Sequence, residues 1–213
     1  MRFMLIVNPF SGKKQGLEIL KKIQPLIIRS DIEIDVIKTC YSGHAENIAR
    51  EFDITKYNGL LMIGGDGTFH EVINGLLNRG DHQKIPIGII PAGSGNSFMN
   101  DLDIADPIKA VEPIILNKTR LIDVMSLQMG DEIRYGINLI GWGMVTDVGL
   151  TAENIRWIGP IRYTLAALFQ ILFKKSRKAI LKIQNKVIDT KFMFIIGCNS
   201  IHIGKGMKMA PKA

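Results

Sequence analysis

An aspartate set between glycines, Gly64-Gly65-Asp66-Gly67-Thr68, is the most chemically pointed stretch of this 213-residue sequence. It follows the apolar run Gly59 to Ile63 and precedes a segment with Phe69, Val72, Ile73, Leu76 and Leu77 on one helical face. Two more glycine loops follow predicted strands: Asn8-Pro9-Phe10-Ser11-Gly12, and Pro91-Ala92-Gly93-Ser94-Gly95-Asn96. Backbone N–H groups approach a polyphosphate closely only where no Cβ intervenes, which is what Gly12, Gly64, Gly65, Gly67, Gly93 and Gly95 provide. Ser11, Thr68 and Ser94 add hydroxyl donors, and a helix starting near Thr68 directs its positive end at the same place. A single loop of this kind is an ordinary turn. Three at strand ends of one sheet point to phosphate binding. The sequence has no Gly-x-x-x-x-Gly-Lys-Ser/Thr loop, and no Gly-x-Gly-x-x-Gly opens its first helix, so neither common nucleotide fingerprint applies.

A carboxylate inside a phosphate loop is unfavourable unless it has a task. Asp66 could repel anions, hold Mg²⁺ through water, or take a proton from an attacking hydroxyl. It could also be an acid interacting with the helix dipole, which explains the carboxylate but not its glycine neighbours. His70 reads as a structural histidine of the first helical turn. Glu71 orients loop groups or caps that same helix.

The elements that must position these loops alternate. Strand-like Phe3–Val7, Ile32–Ile37, Gly59–Ile63 and Ile85–Ile90 interleave with helix-like Leu17–Ile28, His44–Phe52, Phe69–Leu77 and Pro107–Ile115. That order predicts an α/β nucleotide-binding domain over residues 1–120, a parallel sheet with helices on both faces. The loops would then gather at the carboxyl ends of its strands. From 121 to 213 the pattern becomes strand-rich (Arg120–Met129, Glu132–Ile140, Ala179–Ile188, Phe192–Cys198) with one helical stretch at Ile161–Phe173. That helix is apolar on most sides, which reads as buried core or, more sharply, as the wall of an acyl-chain pocket. The two cysteines, Cys40 and Cys198, form no ligand-spaced cluster, and a reducing cytoplasm is expected. No apolar stretch is long enough to span a bilayer, so a soluble protein is expected.

Net charge is +7, and it is uneven. Residues 1–120 hold 14 basic and 14 acidic side chains, whereas residues 121–213 hold 13 and 6. The excess includes Lys174-Lys175-Ser176-Arg177-Lys178, read as a solvated face or as a contact for acidic lipid headgroups. Few aromatics and no nucleic-acid motif argue against a nucleic-acid partner.

In order along the chain, the Asn8–Gly12 loop, Thr39 with His44-Ala45, Gly64 to Gly75 (GGDGTFHEVING), Pro91 to Asn96 (PAGSGN), Trp142-Gly143 before Asp147-Val148, and Glu153, Arg156, Gly159 and Arg162-Tyr163-Thr164 resemble the diacylglycerol kinase and sphingosine kinase superfamily of lipid kinases. The Gly-Gly-Asp-Gly core alone is shared with NAD kinases and phosphofructokinases. The ordered set is more specific. Gly-Ser-Gly-Asn-Ser stands where bacterial diacylglycerol kinases usually have Gly-Thr-Gly-Asn-Asp. With the Trp142–Thr164 stretch, this is closer to the sphingosine kinase branch.

The resemblance implies an ATP- and Mg²⁺-dependent lipid kinase, peripheral to the membrane on the cytoplasmic side, with the active site between the first domain and an antiparallel β-sandwich. Asn8, Ser11, Gly12, Thr39, Gly64, Gly65, Gly67, Thr68, Glu71, Gly93, Ser94 and Gly95 would form the ATP site, joined by Arg156 and Arg162 from the second domain. Asp66 would be the general base and the Mg²⁺ contact, directly or through water. Asp147 would recognise the polar head of a sphingoid base, and Phe169 and Phe173 would meet the lipid chain. The family also places an Asp-Gly-Glu-type motif after the second-domain strands, and residues up to Ala213 hold none. An incomplete sandwich is therefore expected. The competing readings are an NAD kinase-like enzyme and a truncated, non-catalytic nucleotide- or lipid-binding module.

Overall fold

The computed structural model describes residues 1–173, 175–203 and 207–210, with positions 156, 159, 160, 163, 203 and 207 described by their backbone alone. In chain order the first elements are β1 (Arg2–Val7), α1 (Ser11–Lys14), α2 (Gly16–Ile28), β2 (Glu33–Lys38), α3 (His44–Glu51), β3 (Gly59–Gly64), α4 (Asp66–Leu77), β4 (Ile87–Pro91), α5 (Ser97–Asp101) and α6 (Val111–Ile115). The four strands form one parallel sheet in the order β2-β1-β3-β4.

Strand period explains the two-sided core. Met4 and Ile6 of β1, with Leu60 and Met62 of β3, face Ala45 and Ala49 of α3 and Phe69, Val72 and Ile73 of α4. The alternate residues Phe3, Leu5, Val7, Leu61 and Ile63 face Ile19, Leu20, Ile23 and Ile27 of α2 and Val111 of α6. Central parallel strands covered on both faces read as unbroken apolar runs, and β3 is buried at every position. Full burial of a side chain such as Phe69 stabilises by about 1.5–3 kcal/mol.

The elements that follow are β5 (Met125–Met129), β6 (Glu132–Gly136), β7 (Leu139–Gly143), α7 (Met144–Asn154), α8 (Arg162–Phe173), β8 (Arg177–Ile183), β9 (Lys186–Phe192), β10 (Phe194–Cys198), β11 (His202–Ile203) and β12 (Met207–Lys208). Among the described residues they pair two by two, as β5–β6, β8–β9, β7–β10 and β11–β12. The chain forms two compact units: residues 1–138 joined by described residues from 198 onward, and residues 139–197. The expected division at 120/121 followed the change in element order. The β5–β6 hairpin beyond that point belongs to the first unit, where the buried Asn74 amide of α4 exchanges two hydrogen bonds with the Tyr135 backbone, at 3.0 and 2.9 Å.

Several elements differ from the sequence reading. The strand expected over Ala179–Ile188 is a hairpin that turns at Gln184 and Asn185, with Gln184 at φ 51° and no glycine or proline to announce it. Helix α7 was not expected, because Val145, Thr146, Val148, Gly149 and Thr151 are weak helix formers. α8 is a helix as expected, but the buried-core reading fails. Among its described residues only Ala166 is fully buried, while Leu172 and Phe173 are 80% and 66% exposed. No helix among the described residues is long and apolar enough to cross a membrane.

One buried arginine fastens the helices beneath the sheet. Arg79, just past α4, donates through Nη1 to the carbonyls of Ala49, Arg50 and Phe52 at 3.2, 2.9 and 3.0 Å, closing the carboxyl end of α3. Its Nε and Nη2 grip Asp81 at 2.9 and 2.5 Å. That hydrogen bond, more than any other influence, holds the Asp81 carboxyl down at about 2. Replacing Arg79 by methionine leaves the carbonyls without a donor, and urea unfolding will show a loss of about 2–4 kcal/mol. The folded Asp81 value lies below the unfolded one near ~3.9, so its contribution is complete above that pH and disappears as pH falls through about 2. The stability curves of the wild type and Arg79→Met will therefore approach one another across that window.

Candidate functional site

The strand order places the site. From β1 the chain crosses by α2 to β2 on one side, and returns by α3 to β3 on the other. The connections after β1 and β3 diverge to opposite faces, leaving a crevice at their carboxyl ends. Asn8 sits in it. Its backbone N–H donates to the Ile63 carbonyl at 2.9 Å, and its Nδ2 donates to Thr68 Oγ1 at 2.9 Å. Its Oδ1 accepts from Phe10 N at 3.0 Å, so one side chain shapes its own loop and ties it to the second. Gly12, at φ 59°, lies against the third loop: a Cβ there would come 2.5 Å from the Ala92 carbonyl oxygen.

The second and third loops touch backbone to backbone. A Cβ on Gly65 would lie 2.9 Å from the Gly93 Cα, and one on Gly93 would lie 2.6 Å from the Gly65 Cα. Gly64 makes room for the Thr68 side chain, and Ala92 N donates to the Gly64 carbonyl at 2.7 Å. Gly67 differs from these. It is exposed, and a Cβ there would meet nothing within 4 Å. It lies in the first turn of α4, whose amino end no side chain caps. The leading N–H groups of a helix have no partner within it, so this end presents donors and positive potential to an anion. Ser11, Thr39 and Thr68 are buried around the crevice, and Thr39 N donates to the Val7 carbonyl at 2.9 Å. Ser94 is exposed at the tip of the third loop, and Gly95 lies beside Asp66 Oδ2.

Asp66 does not float in this donor field. Its Oδ2 accepts from Ser97 N at 3.0 Å and its Oδ1 from Phe98 N at 3.2 Å, the opening amides of α5. Each carboxylate oxygen retains a further lone pair. The sequence reading missed this link between the second loop and α5, although an asparagine-serine step after a glycine loop is a helix-start signal. Glu71, expected in the ATP site, has both oxygens engaged elsewhere: it accepts from Gly43 N at 2.9 Å and Ala45 N at 3.1 Å, capping α3. His70 is held below the ordinary histidine range, first by burial and then by the charge of Arg134.

The remaining expected residues lie in the second unit. Asp147 accepts Arg177 Nη2 on both oxygens, at 2.9 and 2.8 Å, which takes Arg177 out of the free basic run. Arg162 pairs with Glu153 at 3.5 Å. The rings of Phe169 and Phe173 meet at a tilt of 52°, with centroids 4.6 Å apart, on the exposed face of α8. The Arg156 side chain lies outside the described residues.

Residues 2–127 match the family described as "Diacylglycerol kinase catalytic domain". The chain belongs to that family. Within it the chain is similar to sphingosine kinase 1 of Arabidopsis thaliana, 35% identical over 180 residues, covering 80% of this chain and 37% of that one. It is 37% identical to sphingoid long chain base kinase 5 of Saccharomyces cerevisiae over 182 residues, covering 81% of this chain and 26% of that one. It is 33% identical to human ceramide kinase over 183 residues, covering 78% and 34%. The chain thus spans well under half the length of these relatives. A crystal structure of a diacylglycerol kinase from Bacillus anthracis str. Sterne shares the fold, with a TM-score of 0.76 over 97% of this chain and 67% of that one, at 23% identity.

The two kinds of glycine predict opposite responses. Gly93→Ala drives a Cβ into the Gly65 backbone and will destabilise by about 1–3 kcal/mol. Gly67→Ala has open space in a helical turn and will leave stability unchanged or raise it by up to about 1 kcal/mol. Thermal unfolding of both variants checks the contrast.

Proposed function

We propose that this chain carries the nucleotide site of an ATP-dependent lipid kinase, transferring the γ-phosphoryl group to a lipid hydroxyl, with a sphingoid base as acceptor. The observation that carries the reading is the uncapped amino end of α4, bare at Gly67 and enclosed by three loops at the sheet's switch point. Polyphosphate fits there by backbone donors, and Ser11, Thr39, Thr68 and Ser94 lie on the same loops and strand ends. Asp66 takes the proton of the acceptor hydroxyl. That oxygen then bonds to the γ-phosphorus as the bond from phosphorus to the bridging oxygen breaks, and ADP leaves.

Among the described residues no cluster of three or more His, Cys, Asp or Glu could hold a metal, so Mg²⁺ would arrive with the ATP phosphates and use the single Asp66 carboxylate, directly or through water. Its chemistry there is to neutralise phosphate charge. The names of the relatives favour a sphingoid or ceramide-type acceptor. In the second unit, Asp147 is the candidate for the acceptor's polar head, exchanging Arg177 for it. The exposed Leu168, Phe169, Leu172 and Phe173, followed in sequence by the exposed Lys175 and Lys178, fit the lipid chain and a peripheral, anionic membrane surface on the cytoplasmic side. Arg162 is the candidate for an added phosphate contact.

A second reading, a nucleotide-binding module without turnover, draws on one observation: both Asp66 oxygens already accept backbone N–H groups. Labelled ATP with Mg²⁺ and a panel of sphingosine, diacylglycerol, ceramide and NAD separates the two. The kinase reading expects transfer to sphingosine. Asp66→Asn will lower turnover by about 10²–10⁴-fold while ATP binding is kept. Gly67→Ala will weaken ATP binding about tenfold, roughly the worth of one hydrogen bond. ATP binding with no transfer to any acceptor leaves the binding module.

A further inference from the structure

We infer that Asn96 is a positioning residue for Asp66, acting through the first turn of α5. The inference rests on the kinase reading above, in which Asp66 receives the acceptor's proton.

Asn96 ends the third glycine loop at φ 49° and ψ 43°, a left-handed bend that few side chains other than asparagine and aspartate adopt readily. Its Nδ2 donates to the Gly93 carbonyl at 2.9 Å, closing the loop across Ser94 and Gly95. Asn100, one turn into α5, braces the same loop by donating to the Gly95 carbonyl at 3.3 Å. The two residues after Asn96 are the donors that hold Asp66, at 3.0 and 3.2 Å. The bend therefore decides where those two amides point.

The side chain also lies in the seam where the loops meet. A Cβ on Gly93 would come 2.6 Å from Asn96 Oδ1, and one on Gly65 would come 3.7 Å from it. That oxygen is buried and accepts no hydrogen bond among the described residues. A glycine at position 96 would make the same bend without strain and without a stranded acceptor. What asparagine adds is its donor half, the bond that sets the shape of Gly93–Gly95. A proton acceptor acts only when held within a fraction of an ångström of its working place. Asp66 is held by α5, and the direction of α5 is set by Asn96.

The test uses Asn96→Ala, which disfavours the bend and removes the bond, and Asn96→Gly, which keeps the bend and removes only the bond. Both are made in the full chain and assayed with sphingosine and ATP. The expected result is a fall in kcat of about 100-fold for Asn96→Ala, with the KM for ATP within about threefold of wild type. Asn96→Gly will regain about tenfold of that loss. Amide exchange at Ser97 and Phe98 will quicken in Asn96→Ala to the rate seen in Asp66→Ala, and less in Asn96→Gly. An unchanged kcat in Asn96→Ala overturns the assignment. So does a fall that appears in ATP KM and thermal stability together, which marks a merely structural residue. Absence of transfer by the wild-type chain to every acceptor removes the kinase reading, and this role with it.

Discussion

The site depends on two backbones touching where no side chain can stand. Gly65 and Gly93 come so close that a methyl group on either would sit inside van der Waals contact with the other's Cα. That contact draws the ends of β3 and β4 together, and it is reinforced by Ala92 N on the Gly64 carbonyl. The first loop completes the arrangement through Asn8 on Thr68 and Gly12 on Ala92. The resulting floor is made of main chain, and main-chain donors hold fixed positions because the sheet beneath fixes them. This is the kind of preorganisation that charge stabilisation in phosphoryl transfer requires.

Beneath the floor, three polar side chains of the first unit connect elements. Glu71 closes the amino end of α3, and Arg79 closes its carboxyl end. Asn74 joins α4 to β6 by pairing with a strand backbone as another strand would. All three lie on α4 or immediately after it. The helix that presents its amino end to the crevice is therefore also the one that anchors its neighbours. An anion held at a helix end would be placed only as precisely as the helix itself, and here the helix is braced along its length.

The first-unit architecture was legible in the sequence because its rules are local. The runs at Phe3–Val7 and Gly59–Ile63, and the spacing of Leu20, Ile23 and Ile27, encode strand and helix directly. The glycine loops were legible because close approach admits one residue type. What could not be read were choices made by tertiary contact. Glu71, early in α4, gives no sign that its oxygens serve α3, and nothing in Gly-Asp-Gly announces that Asp66 leans on Ser97 and Phe98. The same holds for Arg177, which reads as one of a basic run until Asp147 is beside it. The missed turn at Gln184 and the missed helix α7 come from residues whose intrinsic preferences are weak, so context decides.

The first unit is interrupted in sequence. Asn199 donates to the carbonyls of Asp123 and Ile137, Ile201 N donates to Asp101, and His202 pairs with Asp101, so residues from 198 onward finish what residues 1–138 begin. On a ribosome the first unit would have all four strands of its sheet and all three loops in hand while these contributors were still unmade, with residues 139–197 to be synthesised first. The polar rim at Asp101 and Asp123 would wait in water during that interval. The order of synthesis thus leaves the α5 region, the same region that holds Asp66, without these contacts until residues 139–197 have been made.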